Sequence, residues 1–205
     1  MKSSILLLLL LTTWSISFSQ DQKGIARVNR IDGIDVYFMS EPLNSYEVVF
    51  DVSSGIKASS ILTGGLVNEG VSEKASQFVN RAIKIAKEEK HQFDAIIYSS
   101  GKKIIAVKYK DPKPEYKLMA RVQKIEGVEI YILSEPATEY EVFNSKKGGL
   151  KMKSLITGGL VNNSIEEDVA QLVSKLVKDA ADDNEKIDGL LYGAGKSATG
   201  IKFNK

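Results

Sequence analysis

The chain has 205 residues, with 28 basic and 26 acidic side chains, a single histidine and no cysteine. The near-balance of charge excludes the clustered Lys and Arg excess that a nucleic-acid partner requires. Without cysteine there are no disulfides, no thiolate chemistry and no cysteine-based metal site, so apolar cores alone must hold the fold together.

Residues 1–19 read as an export signal. Lys2 supplies the positive start, residues 5–11 are an unbroken apolar run, and Ser17-Phe18-Ser19 offers small residues at the cleavage positions. The run is too short to cross a bilayer as a permanent helix. Cleavage is expected after Ser19, leaving Gln20 as the mature N-terminus and no membrane span. The protein is then exported, either periplasmic or secreted.

Beyond the signal the chain repeats itself. Residues 24–111 align without a gap to residues 118–205 at a constant offset of 94 positions. Ala26-Arg27-Val28 returns as Ala120-Arg121-Val122, Ser40-Glu41-Pro42 as Ser134-Glu135-Pro136, and Tyr46-Glu47-Val48 as Tyr140-Glu141-Val142. The run 63–68 returns whole at 157–162. A long ungapped self-match marks a duplicated structural unit. Copy one is 24–111 and copy two is 118–205, joined by a linker at 112–117 that Pro112 and Pro114 stiffen.

Each copy opens with two apolar-alternating runs, 26–31 and 34–39 in copy one, around Asp32-Gly33, which predicts a β-hairpin. Copy two keeps Glu126-Gly127 at the turn, where glycine supplies a positive φ at low cost. The Ser-Glu-Pro run ends the second strand, and 46–51 reads as a third. A glycine-bearing connection follows, with a short strand expected at 58–62.

Then comes an amphipathic helix. Val71, Ala75, Phe78, Val79, Ala82, Ile83 and Ala86 share one face, as do Ile165, Val169, Leu172, Val173, Leu176, Val177 and Ala180. Ser164 with Glu167 forms a capping box, and Gly70 with Glu73 is its weaker twin. Residues 93–98 and 187–192 are apolar strands, and Gly101-Lys102 or Gly195-Lys196 turns each into a last strand. The expected class is α+β, two tandem copies of a small, mainly antiparallel sheet covered by one helix, with the copies in contact.

The Glu-Pro, the Tyr-Glu-Val, the amphipathic helix and then Asp94-Ala95-Ile96-Ile97 or Asp188-Gly189-Leu190-Leu191 resemble the YbjQ-like domains, described as heavy-metal-binding and distantly related to the RcsF envelope sensor domain. The resemblance implies a small α+β envelope domain and supplies no catalytic residue. It departs from the family ahead of the Asp, where His91-Gln92-Phe93 and Glu185-Lys186-Ile187 replace a Gly-Ala, and in lacking the sensor's cysteines.

Candidate contacts are the repeated polar positions. Thr63, Gly64 and Gly65, with Thr157, Gly158 and Gly159, lie just ahead of a helix, where backbone N–H groups can cradle an anion. They lack the GxxxxGK[ST] spacing and its lysine, which favours a glycine turn. Glu41, Tyr46 and Glu47, with Glu135, Tyr140 and Glu141, offer paired carboxylates for a ligand or hard cation, against a solvated-acid, edge-packed-tyrosine reading. His91 has no companion to complete a metal site and is expected to complement a helix C-terminus. Asp94 and Asp188 are expected to accept turn hydrogen bonds, and Arg27 and Arg121 to pair with a repeated acid across a sheet.

No cofactor, metal or catalytic set is expected. The expectation is a non-catalytic exported module that binds an envelope or extracellular protein, or itself. The alternative is small-ligand or cation binding between the repeats, through Thr63, Glu47 and their twins.

Overall fold

The computed structural model describes residues 23–52, 71–98, 103–143, 165–192 and 198–204. The signal, the strand expected at 58–62, both Thr-Gly-Gly runs, the helix caps and the turns at Gly101 and Gly195 lie outside the described residues. Copy one gives β1 (Ile25–Val28), β2 (Arg30–Ile31), β3 (Ile34–Phe38), β4 (Ser40–Pro42), β5 (Tyr46–Asp51), α1 (Val71–Glu89), β6 (Ala95–Tyr98) and β7 (Ile104–Tyr109). A 3-10 turn, Pro114–Tyr116, lies in the linker. Copy two gives β8 (Met119–Val122), β9 (Lys124–Ile125), β10 (Val128–Ile132), β11 (Ser134–Pro136), β12 (Tyr140–Val142), α2 (Ile165–Asp182), β13 (Gly189–Tyr192) and β14 (Ala198–Phe203). The fold class is α+β. No helix among the described residues is long and apolar enough to cross a membrane.

The Asp-Gly and Glu-Gly turns form as expected, with positive φ at both central residues: 49° and 83° at Asp32-Gly33, 52° and 81° at Glu126-Gly127. Such primed turns match the twist of the strands they join. The hairpin itself is much shorter than the sequence suggests. β2 pairs with β3 over two residues, and the chain ahead of it, β1, belongs to another sheet. A second break comes after β3 and β10, where Met39 and Leu133 adopt φ of 47° and 50°. A left-handed conformation costs a non-glycine residue about 1–2 kcal/mol. Burial compensates, since Met39 is 0% and Leu133 2% exposed, and a buried Met or Leu side chain contributes about 1.5–3 kcal/mol. These corners send β4 and β11 out of the large sheet.

Two sheets result, and both cross the copy boundary. The ten-stranded sheet runs β12-β14-β13-β10-β3-β6-β7-β5, with β2 and β9 beside β3 and β10. It is mixed, because β3–β6 and β10–β13 are parallel while its other pairs are antiparallel. The four-stranded sheet runs β11-β1-β8-β4. Its central pair is centred on Ala26 opposite Ala120, and Phe38 stands opposite Ile132 where β3 meets β10. Both are equivalent positions of the sequence repeat. The copies, expected as two small sheets in contact, therefore share their sheets: among the described residues β4 pairs only with β8, and β11 only with β1.

Three layers follow from side-chain alternation. One face of the large sheet, with Val36, Phe38, Ile96, Ile130 and Leu190, packs under Phe78, Val79, Leu172 and Val173 of the helices. The other face, with Tyr37, Ile97, Val107, Tyr131 and Ile201, packs on Ala26, Val28, Ala120 and Val122 of the small sheet. The expected helical stripe, from Ala75 to Ala86 and from Val169 to Ala180, is buried except at its margin, where Val177 is exposed and Ile83 half-buried. Lys90 and Asn184 take φ of 57° and 56° at the helix C-termini. His91 and Glu185 N–H groups then donate to the Ala86 and Ala180 carbonyls, which satisfies groups the helix leaves open.

Packing is matched within each copy. Ala95 stands opposite Val107 in copy one, and Gly189 opposite Ile201 in copy two. A Cβ on Gly189 would lie 2.9 Å from Ile201 Cγ1 and 3.2 Å from Tyr131 Cε2. The larger isoleucine is accommodated by removing a methyl opposite. Gly189→Ala is therefore expected to cost about 1–2 kcal/mol by overpacking, and Ile201→Val in the same chain should recover most of it. Urea unfolding of the single and double variants checks this.

Candidate functional site

Both copies bury one acid on the small-sheet side of the large sheet. Asp35 on β3 is 2% exposed and Glu129 on β10 is 3% exposed, at equivalent positions. A buried carboxylate is tolerated only when paired and hydrogen-bonded. Asp35 Oδ1 accepts from Arg30 Nε at 2.7 Å, with Arg30 Nη2 at 2.6 Å. Its Oδ2 accepts from the Tyr109 hydroxyl at 2.8 Å, and the Tyr37 hydroxyl donates to Tyr109 Oη at 2.7 Å. Copy two solves the same problem differently. Lys124, the counterpart of Arg30, lies 3.0 Å from Glu129 Oε1. Glu129 is one methylene longer and accepts directly from the Tyr131 hydroxyl, and from the Gly24 N–H at 2.8 Å. Phe203, which stands where copy one has Tyr109, needs no hydroxyl.

Burial, ahead of every other influence, pushes the Tyr37 hydroxyl up to about 12. Tyr109 is pushed up by burial and then by its hydrogen bond to Tyr37 and the neighbouring Asp35. Tyr131 is pushed up by burial and then by Glu129. All three are neutral donors across the physiological range.

A cleft of about 440 Å³ opens beside the copy-one network. It is lined by Arg30, Asp35, Phe93 and Tyr109 of copy one and by Lys113 and Lys117 of the linker. The linker is held there by Asn44, which is 5% exposed. Asn44 Oδ1 accepts from the Lys113 N–H at 2.9 Å, and its amide donates to the Tyr116 carbonyl at 3.4 Å. Asp94 and Asp188, expected to accept turn hydrogen bonds, instead accept across strands, from the Tyr109 N–H at 2.8 Å and the Phe203 N–H at 3.0 Å, each 15 residues on.

Among the described residues, the two acids expected to share a ligand between the repeats do not converge. Glu47 on β5 and Glu141 on β12 are exposed at opposite edges of the large sheet, each opposite a lysine, Lys108 or Lys202. Tyr46 and Tyr140 are half-buried against the core beneath the small sheet. Burial raises Tyr46, and the Glu41 charge adds to the shift. Glu41 and Glu135 are exposed on the outer strands of the small sheet, in register with Arg121 and Arg27. Each arginine thus stands opposite a repeated acid of the other copy in strand register. Thr63, Gly64, Gly65, Thr157, Gly158 and Gly159 lie outside the described residues. His91 stacks on Phe50 with ring centroids 5.6 Å apart, and its Nε2 lies 3.1 Å from Glu89 Oε2. Among the described residues no group of three or more His, Asp or Glu side chains is placed to hold a metal ion.

Sequence reasoning missed Arg30, Asp35, Tyr37 and Tyr109 with Lys124, Glu129 and Tyr131. The signal was present as an acid inside an apolar strand with tyrosine two residues later, Asp35-Val36-Tyr37 and Glu129-Ile130-Tyr131, and a cation five residues ahead. In comparisons with known proteins, no family model, no curated protein and no solved structure matches this chain.

Tyr109→Phe is expected to cost about 1–3 kcal/mol, because it leaves Asp35 Oδ2 and the Tyr37 hydroxyl without a partner. Asp35→Glu added to it rebuilds the copy-two arrangement and should recover most of the loss in a double-mutant cycle. Stability should also fall as pH rises from about 10, where unfolded phenols ionise, toward the folded-state value of about 12 for Tyr37. In that window the unfolded chain binds fewer protons than the folded one, so ionisation favours unfolding. Denaturant unfolding at stepped alkaline pH, with phenolate absorbance followed in parallel, measures this.

Proposed function

We propose that this chain is an exported, non-catalytic binding module that engages an envelope or extracellular protein, or further copies of itself, by strand addition at the ends of its large sheet. The observation that carries this reading is the identity of the two ends. Among the described residues the terminal strands β5 and β12 both carry Tyr-Glu-Val, and Val48 and Val142 are 58% and 49% exposed. An edge strand offers unpaired backbone groups, and natural sheets usually blunt such edges with lysine, proline or a cover. A partner strand laid along either edge would gain main-chain hydrogen bonds and a valine contact. Two like edges on one rigid sheet also favour a bivalent partner through effective concentration.

The buried acids support a binding role over a catalytic one, since Asp35 and Glu129 are committed to ion pairs and tyrosine hydroxyls. Export rests on residues 1–19 of the sequence, and the likeness to YbjQ-like envelope domains accords with it. The cleft beside Asp35 favours a second reading, in which a small ligand binds in copy one. It replaces the site first expected between the repeats, because Glu47 and Glu141 stand too far apart in strand order to share a ligand.

Val48→Lys and Val142→Lys place charges on exposed positions, where substitutions change stability by only about 0.5 kcal/mol. Each single variant is expected to weaken capture of the partner from the envelope fraction, and the double variant to abolish it. Equal capture by the double variant would sink the strand-addition reading. A small mass retained in native mass spectrometry, and lost on denaturation, would move the assignment to the cleft.

A further inference from the structure

The boundary between the copies carries an inference independent of the sheet edges. Its main-chain hydrogen bonds are reciprocal, position by position, and the Gly24 N–H bond to the Glu129 carboxylate is the added contact without a twin among the described residues. The Val28 N–H donates to the Leu118 carbonyl at 2.8 Å, and Val122 to Gly24 at 3.0 Å. Asn29 donates to Leu133 at 3.3 Å, and Gln123 to Met39 at 3.2 Å. Leu43 donates to Met119 at 3.1 Å, and Ala137 to Ile25 at 2.9 Å. In each couple the residues are equivalents under the 94-residue offset. The side chains follow the same rule: Arg27 faces Glu135 and Arg121 faces Glu41. Gly24 and Leu118, the residues entering β1 and β8, share a left-handed backbone, with φ of 79° and 60°.

We propose that this boundary is a self-complementary interface, so that either copy can pair through it with the same copy of a second chain. Four features support this. Each copy contributes one Arg and one Glu, so a homotypic pair retains both placements of opposite charges across the strands. The reciprocal main-chain bonds need only the backbone. The compensations that distinguish the copies, Asp35 with Tyr109 against Glu129 with Tyr131 and Phe203, and Ala95 with Val107 against Gly189 with Ile201, lie inside a copy and travel with it, while the Gly24 N–H bond to Glu129 crosses the boundary and in a copy-two pair falls to the Leu118 N–H. Finally, among the described residues β4 and β11 find ladder partners only across the boundary, so an unpaired copy leaves strands open and is driven to associate. The partner is thus a second copy of this chain, joined by a two-fold, isologous contact of the kind that closes. At the dyad Phe38 meets Ile132. The copy-one pair then sets Phe against Phe, and the copy-two pair sets Ile against Ile, within the same register.

The test uses the whole chain with a protease site inserted in the linker at 112–117. The folded protein is cut, unfolded in urea, refolded and examined by native mass spectrometry, where the halves differ in mass. The expected result is three species, the mixed pair and both homotypic pairs, each homotypic pair within about tenfold of the mixed one. Mixed pairs alone, or separate half-chains, would overturn the proposal. If the cut chain precipitates on refolding, the uncut chain is refolded at stepped concentrations. A dimer that persists on dilution and is lost only on unfolding supports exchange between chains, and a monomer at every concentration overturns it.

Discussion

The structure depends on the corner at Met39 and its equivalent Leu133. There a buried, bulky side chain holds a left-handed backbone, and the chain leaves the large sheet. The backbone groups at the corner are not left open: Met39 N–H donates to the Tyr98 carbonyl, and its own carbonyl accepts from Gln123 of the other copy. Because the turn carries β4 and β11 away from their own copies, each strand completes its hydrogen bonds on the opposite one. The small sheet then covers the centre of the large one, and Tyr37, Tyr131 and the two acids are buried beneath it.

That cover explains the chemistry of the interior. A carboxylate under the small sheet needs a cation and a donor, and each copy supplies both from nearby elements. Copy one uses a shorter acid and an extra tyrosine hydroxyl, and copy two a longer acid and a phenylalanine. The Gly24 N–H reaching Glu129 ties this network to the start of β1, so one acid in copy two also fixes a strand of copy one. Polar satisfaction and strand exchange are therefore one constraint. The linker joins it too, since Asn44 holds residues 113 and 116 against copy one and forms the rim of the cleft.

The ends of the large sheet are governed by different physics. They lie beyond the small sheet, their valines are exposed, and the Tyr-Glu-Val pattern recurs at both. What is buried near the centre holds the copies together, whereas the Tyr-Glu-Val repeated at the edges presents an exposed valine. The repetition of Glu41, Tyr46 and Glu47 in the sequence suggested a common site. Their repetition instead reflects symmetric places in two sheets, with Glu41 facing an arginine of the other copy and Glu47 a lysine of its neighbouring strand.

Sequence alone determined the local features: the primed Asp-Gly and Glu-Gly turns, the helices with their apolar stripes and the post-helix strands. Each depends on residues close together in the chain, where periodicity and glycine act over a few positions. Tertiary structure decided which strands pair. Nothing local in 25–28 says that its partners are 119–121 and 134–136, because strand pairing depends on the long-range burial of one sheet by another. The same holds for Asp35 and Tyr109, separated by 74 positions and joined by a single hydrogen bond. An acid in an apolar strand could be seen in the sequence, but the hydroxyl that makes it tolerable is set by the fold.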